Sequence, residues 1–211
     1  MLATYKTVKG GSHEIVIQKS RFITYVKRAE TEAEAQAFIT EIKHTHSDAN
    51  HNCSAYLIGE HDQIQKANDD GEPSGTAGVP MLDVLKKQGL KDTVVVVTRY
   101  FGGIKLGGGG LIRAYSGSVS EALAATGIVE RVLAHIVSVT FDYTLLGKIE
   151  NEIRSSAFQL KEIEYLDQVT LHAYVPYGEL EAFQSWIDGL TSGKAIVKEN
   201  GETYLERDLT V

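Results

Sequence analysis

The sequence predicts an α+β protein of two domains, residues 1–133 and 134–211, and three observations carry that reading. Four consecutive valines, Val94 to Val97, show no alternation, as in a central strand covered on both faces. From residue 135 the pattern becomes strand, helix, strand, strand, helix, strand, the β-α-β-β-α-β order of a ferredoxin-like domain. Charge changes near the same place. Residues 1–133 carry 15 Lys and Arg against 15 Asp and Glu, whereas residues 134–211 carry 6 against 13, so the whole net charge of −7 lies in the last third.

Taken in order, Ile15–Ile17 and Arg21–Val26 read as short strands. Thr31-Glu32-Ala33-Glu34 is a capping box, whose hydroxyl and carboxylate satisfy free backbone donors, so a helix follows. Ala35, Phe38, Ile39 and Ile42 recur at three and four residues and form its sheet-facing stripe. Cys53–Ile58 is strand-like, and Gly59–Gly78 is a polar stretch without periodicity, long enough to point to function. Pro80 suits the first turn of a helix that reaches Gln88, with Gly89 as its left-handed stop. Thr93–Tyr100 is the buried strand. A glycine-rich turn leads to a helix over Leu111–Ala125, with Leu111, Tyr115, Val119, Ala122 and Leu123 as its stripe and Gly127 as its end. The remaining elements are strand 135–142, helix 145–157, strands 159–166 and 168–175, helix 178–190 and strand 194–199.

With 43% apolar and 23% charged residues among 211, the chain is globular in composition and not disordered. A single cysteine, Cys53, excludes an internal disulfide and the cysteine-only zinc frameworks, and fits a reducing compartment. The longest apolar run is far short of the ~18 residues of a membrane span, and the first residues lack an apolar signal core, so the expected location is the cytoplasm. A net charge of −7 argues against a generic polyanion binder, but the acidity is confined to the part least suited to touch phosphate.

Two loops carry the chemical information. In Asp69-Asp70-Gly71-Glu72-Pro73-Ser74-Gly75-Thr76, three carboxylates within four residues suit a hard cation such as Mg²⁺, while Ser74, Thr76 and the N–H groups of a helix start suit an anion. The plain alternative is a turn-rich loop in which Thr76 caps the helix and the acids face water. The second loop follows the buried strand, Arg99-Tyr100-Phe101-Gly102-Gly103-Ile104-Lys105-Leu106-Gly107-Gly108-Gly109-Gly110, with six glycines in nine residues. Glycine at this density loses much chain entropy on folding, so the backbone must take left-handed angles or be approached closely. An anion or an RNA backbone is the natural occupant, with Lys105, Arg113 and Arg99 around it. The spelling matches neither a P-loop nor a dinucleotide fingerprint. Close helix–strand packing is the competing explanation for the glycines, and mutual neutralisation of Asp69, Asp70 and Glu72 by Arg99, Lys105 and Arg113 is that for the charges. His44, His46, His51 and Cys53 are zinc-ligand types, but their spacing matches no common finger, and His51 and Cys53 share a strand face with Ala55 and Leu57, which reads as core.

Three stretches resemble the IMPACT/YigZ family: His51-Asn52-Cys53-Ser54-Ala55-Tyr56, Asn68 through Gly78, and Val97-Thr98-Arg99-Tyr100-Phe101-Gly102-Gly103-Ile104-Lys105-Leu106-Gly107, with Gly109-Gly110-Leu111-Ile112-Arg113-Ala114-Tyr115 in agreement. The resemblance implies an N-terminal domain similar to domain 2 of ribosomal protein S5, a sheet with helices on one face. It also implies a C-terminal ferredoxin-like domain similar to parts of elongation factor G. Eukaryotic relatives join the motif domain to a different N-terminal domain and regulate translation initiation in starvation, so only a translation-related theme carries over. No catalytic residue, cofactor or metal is implied.

The expected function is therefore that of a non-enzymatic cytoplasmic regulator of translation that binds RNA, the ribosome or a translation-factor partner. Its phosphate or RNA contacts are expected at Arg99, Tyr100, Lys105, Gly107, Gly108, Gly109, Gly110, Arg113 and Tyr115, with Phe101, Tyr100 or Tyr115 stacking on bases. Asp69, Asp70, Glu72, Ser74 and Thr76 form a second binding loop. The alternative is an enzyme or binding protein for a phosphorylated small molecule or nucleotide, with Mg²⁺ at Asp69, Asp70 and Glu72.

Overall fold

The structure, a computed structural model, describes residues 1–209. Its elements are β1 (Thr4–Val8), β2 (Gly11–Ile17), β3 (Ser20–Arg28), α1 (Glu32–Thr45), β4 (His51–Ile58), β5 (Ile64–Asn68), α2 (Gly78–Lys87), β6 (Thr93–Tyr100), α3 (Gly107–Thr126), β7 (Ile128–Phe141), α4 (Leu146–Ser155), β8 (Gln159–Tyr165), β9 (Val169–Pro176), α5 (Leu180–Thr191) and β10 (Ile196–Leu209). The chain is α+β, as expected, and divides into two compact units. One contains Met1, Tyr5–Glu130 and residues 207–209, and the other Leu2–Thr4 and Arg131–Glu206.

The sheet of the first unit has the order β2-β3-β6-β4-β5 and is antiparallel throughout. β6 is its middle strand and is buried from Thr93 to Arg99. Val95 and Val97 join Cys53, Ala55 and Leu57 of β4 in one core, closed by Met81 and Leu85 of α2 and by Leu111, Tyr115, Val119 and Ala122 of α3. Val94 and Tyr56 point to the other face, where Ala35, Phe38 and Ile39 of α1 cover them. Helices therefore lie on both faces, which corrects the one-sided cover that the S5-like resemblance implies. The amphipathic stripe of α1 needs an apolar partner, and the valine run supplies one on the second face.

The start of α1 is satisfied as its sequence predicts. Thr31 Oγ1 accepts from the Glu34 N–H (3.2 Å), while the Glu34 carboxylate accepts from the N–H of Glu30 (2.8 Å) and not from that of Thr31. Other boundaries differ. β1 and β5 fall in stretches too polar for their alternation to show, and β7 begins directly after Gly127 (φ 90°) instead of at residue 135. α3 begins at Gly107, four residues before the expected Leu111, because glycine's poor helix propensity hides a turn that the apolar stripe behind it imposes.

In the second unit β10 pairs with β7, β7 with β9 and β9 with β8, the last two pairs antiparallel. β9 alternates perfectly, with Val169, Leu171, Ala173 and Val175 buried. With Val137, Val139 and Phe141 they pack on Ile149 and Ile153 of α4 and on Phe183 and Ile187 of α5.

Candidate functional site

The acidic loop runs from the end of β5 to α2, and its carboxylates are taken up by three separate sets of partners. Asp69 reaches the start of α2. Its Oδ1 accepts from the N–H groups of Ala77 (3.1 Å) and Gly78 (2.8 Å), and its Oδ2 from that of Gly75 (2.8 Å). Burial works against the charge, but the three donors outweigh it and hold the Asp69 carboxyl below the usual range. Gly78 is required here, since a Cβ would overlap the backbone of Asn68. Asp70 accepts from Lys43 Nζ (2.6 Å) and from the N–H of Asn52 (2.7 Å). Partial burial raises its pKa, and these two partners lower it further than burial raises it. Glu72, 8% exposed, receives the Arg99 guanidinium and the Tyr115 hydroxyl on its Oε1.

This geometry corrects the Mg²⁺ reading, because the three carboxylates face different partners and do not converge. It also corrects the cap: Thr76 Oγ1 donates to the Pro73 carbonyl (2.6 Å), and the α2 start is filled by Asp69. Ser74 is exposed. The zinc ligand types disperse as well. His46 bridges the hydroxyls of Tyr25 (2.6 Å) and Tyr100 (2.8 Å), and the Cys53 thiol donates to the Asp69 carbonyl (3.0 Å). Burial pushes that thiol up to about 12, which leaves it inert as a nucleophile.

The glycine-rich segment connects β6 to α3. Gly102 lies against the backbone of Lys19 and Ser20, which leaves no room for a Cβ, and Gly103 and Gly107 have φ of 88° and 71°. Gly107 to Gly110 then form the first turn of α3, which has no side-chain cap and no acidic residue. A Cβ on Gly108 would meet nothing within 4 Å, and one on Gly109 only the tip of Arg113 at 3.5 Å. Tight packing therefore does not explain Gly108 or Gly109. Four glycines open a 20-residue helix whose N–H groups, among the described residues, meet no carboxylate or hydroxyl cap.

The expected contact residues separate into two groups. Lys105, Gly107, Gly108, Gly109 and Arg113 are exposed and Gly110 is partly buried; among the described residues neither Lys105 nor Arg113 has a salt bridge. Tyr100 is partly covered, its hydroxyl donating to Asp48 (3.1 Å). Arg99 is 5% exposed and paired with Glu72, its guanidinium 5.4 Å from the ring centroids of Phe22 and Phe101. Tyr115 is wholly buried, its ring edge-on to Phe22 at 5.4 Å, which removes it from the residues able to stack on a base. Of the charge pairs expected between the two loops, Arg99–Glu72 is the one that forms among the described residues.

The two loops and the start of β4 enclose a cleft of about 420 Å³. Glu72, Arg99 and His51 line it, with Pro73, Phe101, Leu106 and Leu111 as apolar walls and Lys105, Gly107 and Gly108 alongside. His51 belongs to this site and not to the core, as does Asn50. His51 faces Arg99 across the β4–β6 ladder, which brings it beside Glu72. Its membership in the first of the three family-like stretches was the signal available; strand parity placed it on the face of Cys53 and Ala55, as found, but did not show that this face opens into a cleft at the start of β4.

Residues 18–123, which contain the whole cleft, match the Impact N-terminal domain, and residues 139–194 match a domain of unknown function, DUF1949. IMPACT family member YvyE of Bacillus subtilis strain 168 is 63% identical over 208 residues, 98% of this chain and 96% of that protein. The chain belongs to the IMPACT family. The family member YigZ of Escherichia coli K12 is 34% identical over 179 residues, 84% of this chain and 88% of that protein. A crystal structure of a hypothetical protein superposes with a TM-score of 0.61 at 30% identity, covering 93% of this chain and 97% of that one. The IMPACT homolog of Dictyostelium discoideum is 37% identical over 95 residues, 43% of this chain and 27% of that protein. No helix among the described residues is long and apolar enough to cross a membrane.

Proposed function

We propose that this member of the IMPACT family is a non-enzymatic, cytoplasmic, translation-associated protein that binds RNA, holding a phosphate at the start of α3. The observation that carries the reading is the uncapped glycine turn, Gly107 to Gly110, with Lys105 and Arg113 beside it. Free backbone donors at a helix start, the helix dipole and two unpaired cations together favour an anion. Of the three aromatic residues expected to stack, Phe101, 43% exposed beside the cleft, is the one placed to do so. In this reading residues 1–133 face the RNA, and the acidic residues 134–211 orient the protein or meet a protein partner.

The test is co-sedimentation with ribosomes and with free rRNA across a salt series, using the native chain and a Lys105→Glu/Arg113→Glu variant with intact folding. Association should fall with salt at a shallow slope, about −0.7 in log–log terms per neutralised phosphate for single-stranded RNA, and should be lost in the variant. No association at low salt, or association indifferent to the two substitutions, overturns the reading.

A further inference from the structure

We infer that the cleft accepts a single ribonucleotide unit and reads its sugar hydroxyls with Glu72 and His51. The inference rests on the phosphate site proposed at α3 and adds what the opposite wall of the same cleft recognises. The Glu72 side chain is 4% exposed, and its Oε1 already receives Arg99 and Tyr115. Its other oxygen, Oε2, lies 3.8 Å from His51 Nε2. His51 Nδ1 is 2.8 Å from the Asp70 carbonyl, which can only accept, so Nδ1 carries the proton. In the neutral ring Nε2 is then an acceptor. Two acceptors face one space at a separation beyond hydrogen-bond reach, one on a carboxylate that is almost fully buried. Both side chains line the cleft, and acceptors on the wall of a ligand site are met by donors of the ligand, here two neighbouring ones.

A vicinal diol has that form, one hydroxyl donating to the carboxylate oxygen and the other to the imidazole nitrogen. The remaining lining matches the rest of a ribonucleotide. Lys105 and the α3 start suit the phosphate, and Phe101 with Leu106 and Leu111 offers an apolar face to a base. A cleft of about 420 Å³ has the size of a small-ligand site and not of a groove for a strand. Free 2′ and 3′ hydroxyls occur on a mononucleotide and on the 3′-terminal nucleotide of RNA, and both present the same chemistry.

The experiment is calorimetric titration of the full chain with adenosine 5′-monophosphate and its 2′-deoxy and 2′,3′-dideoxy analogues. A second arm uses an RNA hexamer with an intact diol end and the same hexamer ending in a dideoxynucleotide. Loss of one hydroxyl should weaken binding about tenfold, since one hydrogen bond to the cleft wall is lost. His51→Ala should narrow the gap between the ribose and dideoxyribose affinities, while Lys105→Ala/Arg113→Ala should lower both alike. Diol-dependent binding of the monophosphate assigns a free nucleotide, and diol-dependent binding of the hexamer alone assigns an RNA end; either supports the inference. Equal affinity for ribose and dideoxyribose forms in the wild-type chain overturns it, whatever the folding of His51→Ala. If that equal binding still needs Lys105 and Arg113, the phosphate site stands, and if no phosphorylated probe binds, both readings fall.

Discussion

The two helices that close one face of the first sheet begin in opposite ways. α2 starts on a carboxylate from its own chain, with Asp69 accepting three backbone N–H groups, whereas α3 starts on four glycines that no side chain among the described residues caps. Every helix start leaves backbone donors to satisfy. At α2 the chain supplies the anion itself, and the donors serve the fold. At α3 an equivalent set of donors remains available, with two cations nearby and no packing reason for Gly108 to lack a side chain. The difference separates a loop that stabilises from a loop that is kept ready for something else.

The largest expected effect comes from emptying the filled start. Asp69→Ala strands three backbone donors and should lower stability by about 3 kcal/mol in urea unfolding, because hydrogen bonds to a charged acceptor exceed the usual 1 kcal/mol each. A loss below 0.5 kcal/mol would mean that water replaces Asp69 and that the two starts do not differ in kind.

Filling the empty start is the converse. Gly108 has ordinary helical space for a Cβ, so Gly108→Asp places a carboxylate over the free donors of α3. The melting temperature should rise, by the equivalent of about 1 kcal/mol from helix propensity and dipole together, while RNA and nucleotide binding drop at least tenfold. A more stable variant that still binds would show that the ligand lies elsewhere.

Acid titration sharpens the same contrast. Asp69 and Asp70 are both held below the ordinary carboxyl value of 3.8, so their contribution is fully present above that value and is lost as pH falls through their folded-state values. Stability should therefore decline on acidification below about pH 4, with a smaller decline in Asp69→Ala. The smallest effect is expected at the open start itself. Lys105→Ala/Arg113→Ala should change unfolding free energy by less than about 0.5 kcal/mol, since both side chains are exposed.

Much of this was legible along the chain. The stripe of α1 and the valine run of β6 announce themselves through local periodicity and appear where expected, and the glycine run announces itself through composition. β5 did not, because Ile64–Asn68 is an edge strand with a single partner and polar side chains, so alternation has nothing to mark. The first turn of α3 was hidden for the opposite reason: glycine carries no helix signal, and the turn exists because the Leu111 to Leu123 stripe docks on the sheet.

The sequence by itself determined the α+β class, the family and the two loops that form the cleft, because propensity, patterning and motif spelling are all local. Only the tertiary structure decided which charges cancel and which remain. Arg99 and Lys105 look alike in the chain, yet one is buried on Glu72 and the other faces solvent. Tyr115 lies within a motif that reads as a nucleic-acid contact, yet its ring fills the core. His51 reads as core, yet it lines the cleft. The physical reason is register. The β4–β6 ladder sets His51 opposite Arg99, and a slip of one residue would put the two side chains on opposite faces, so the partner of each charge follows from pairing that no local pattern encodes.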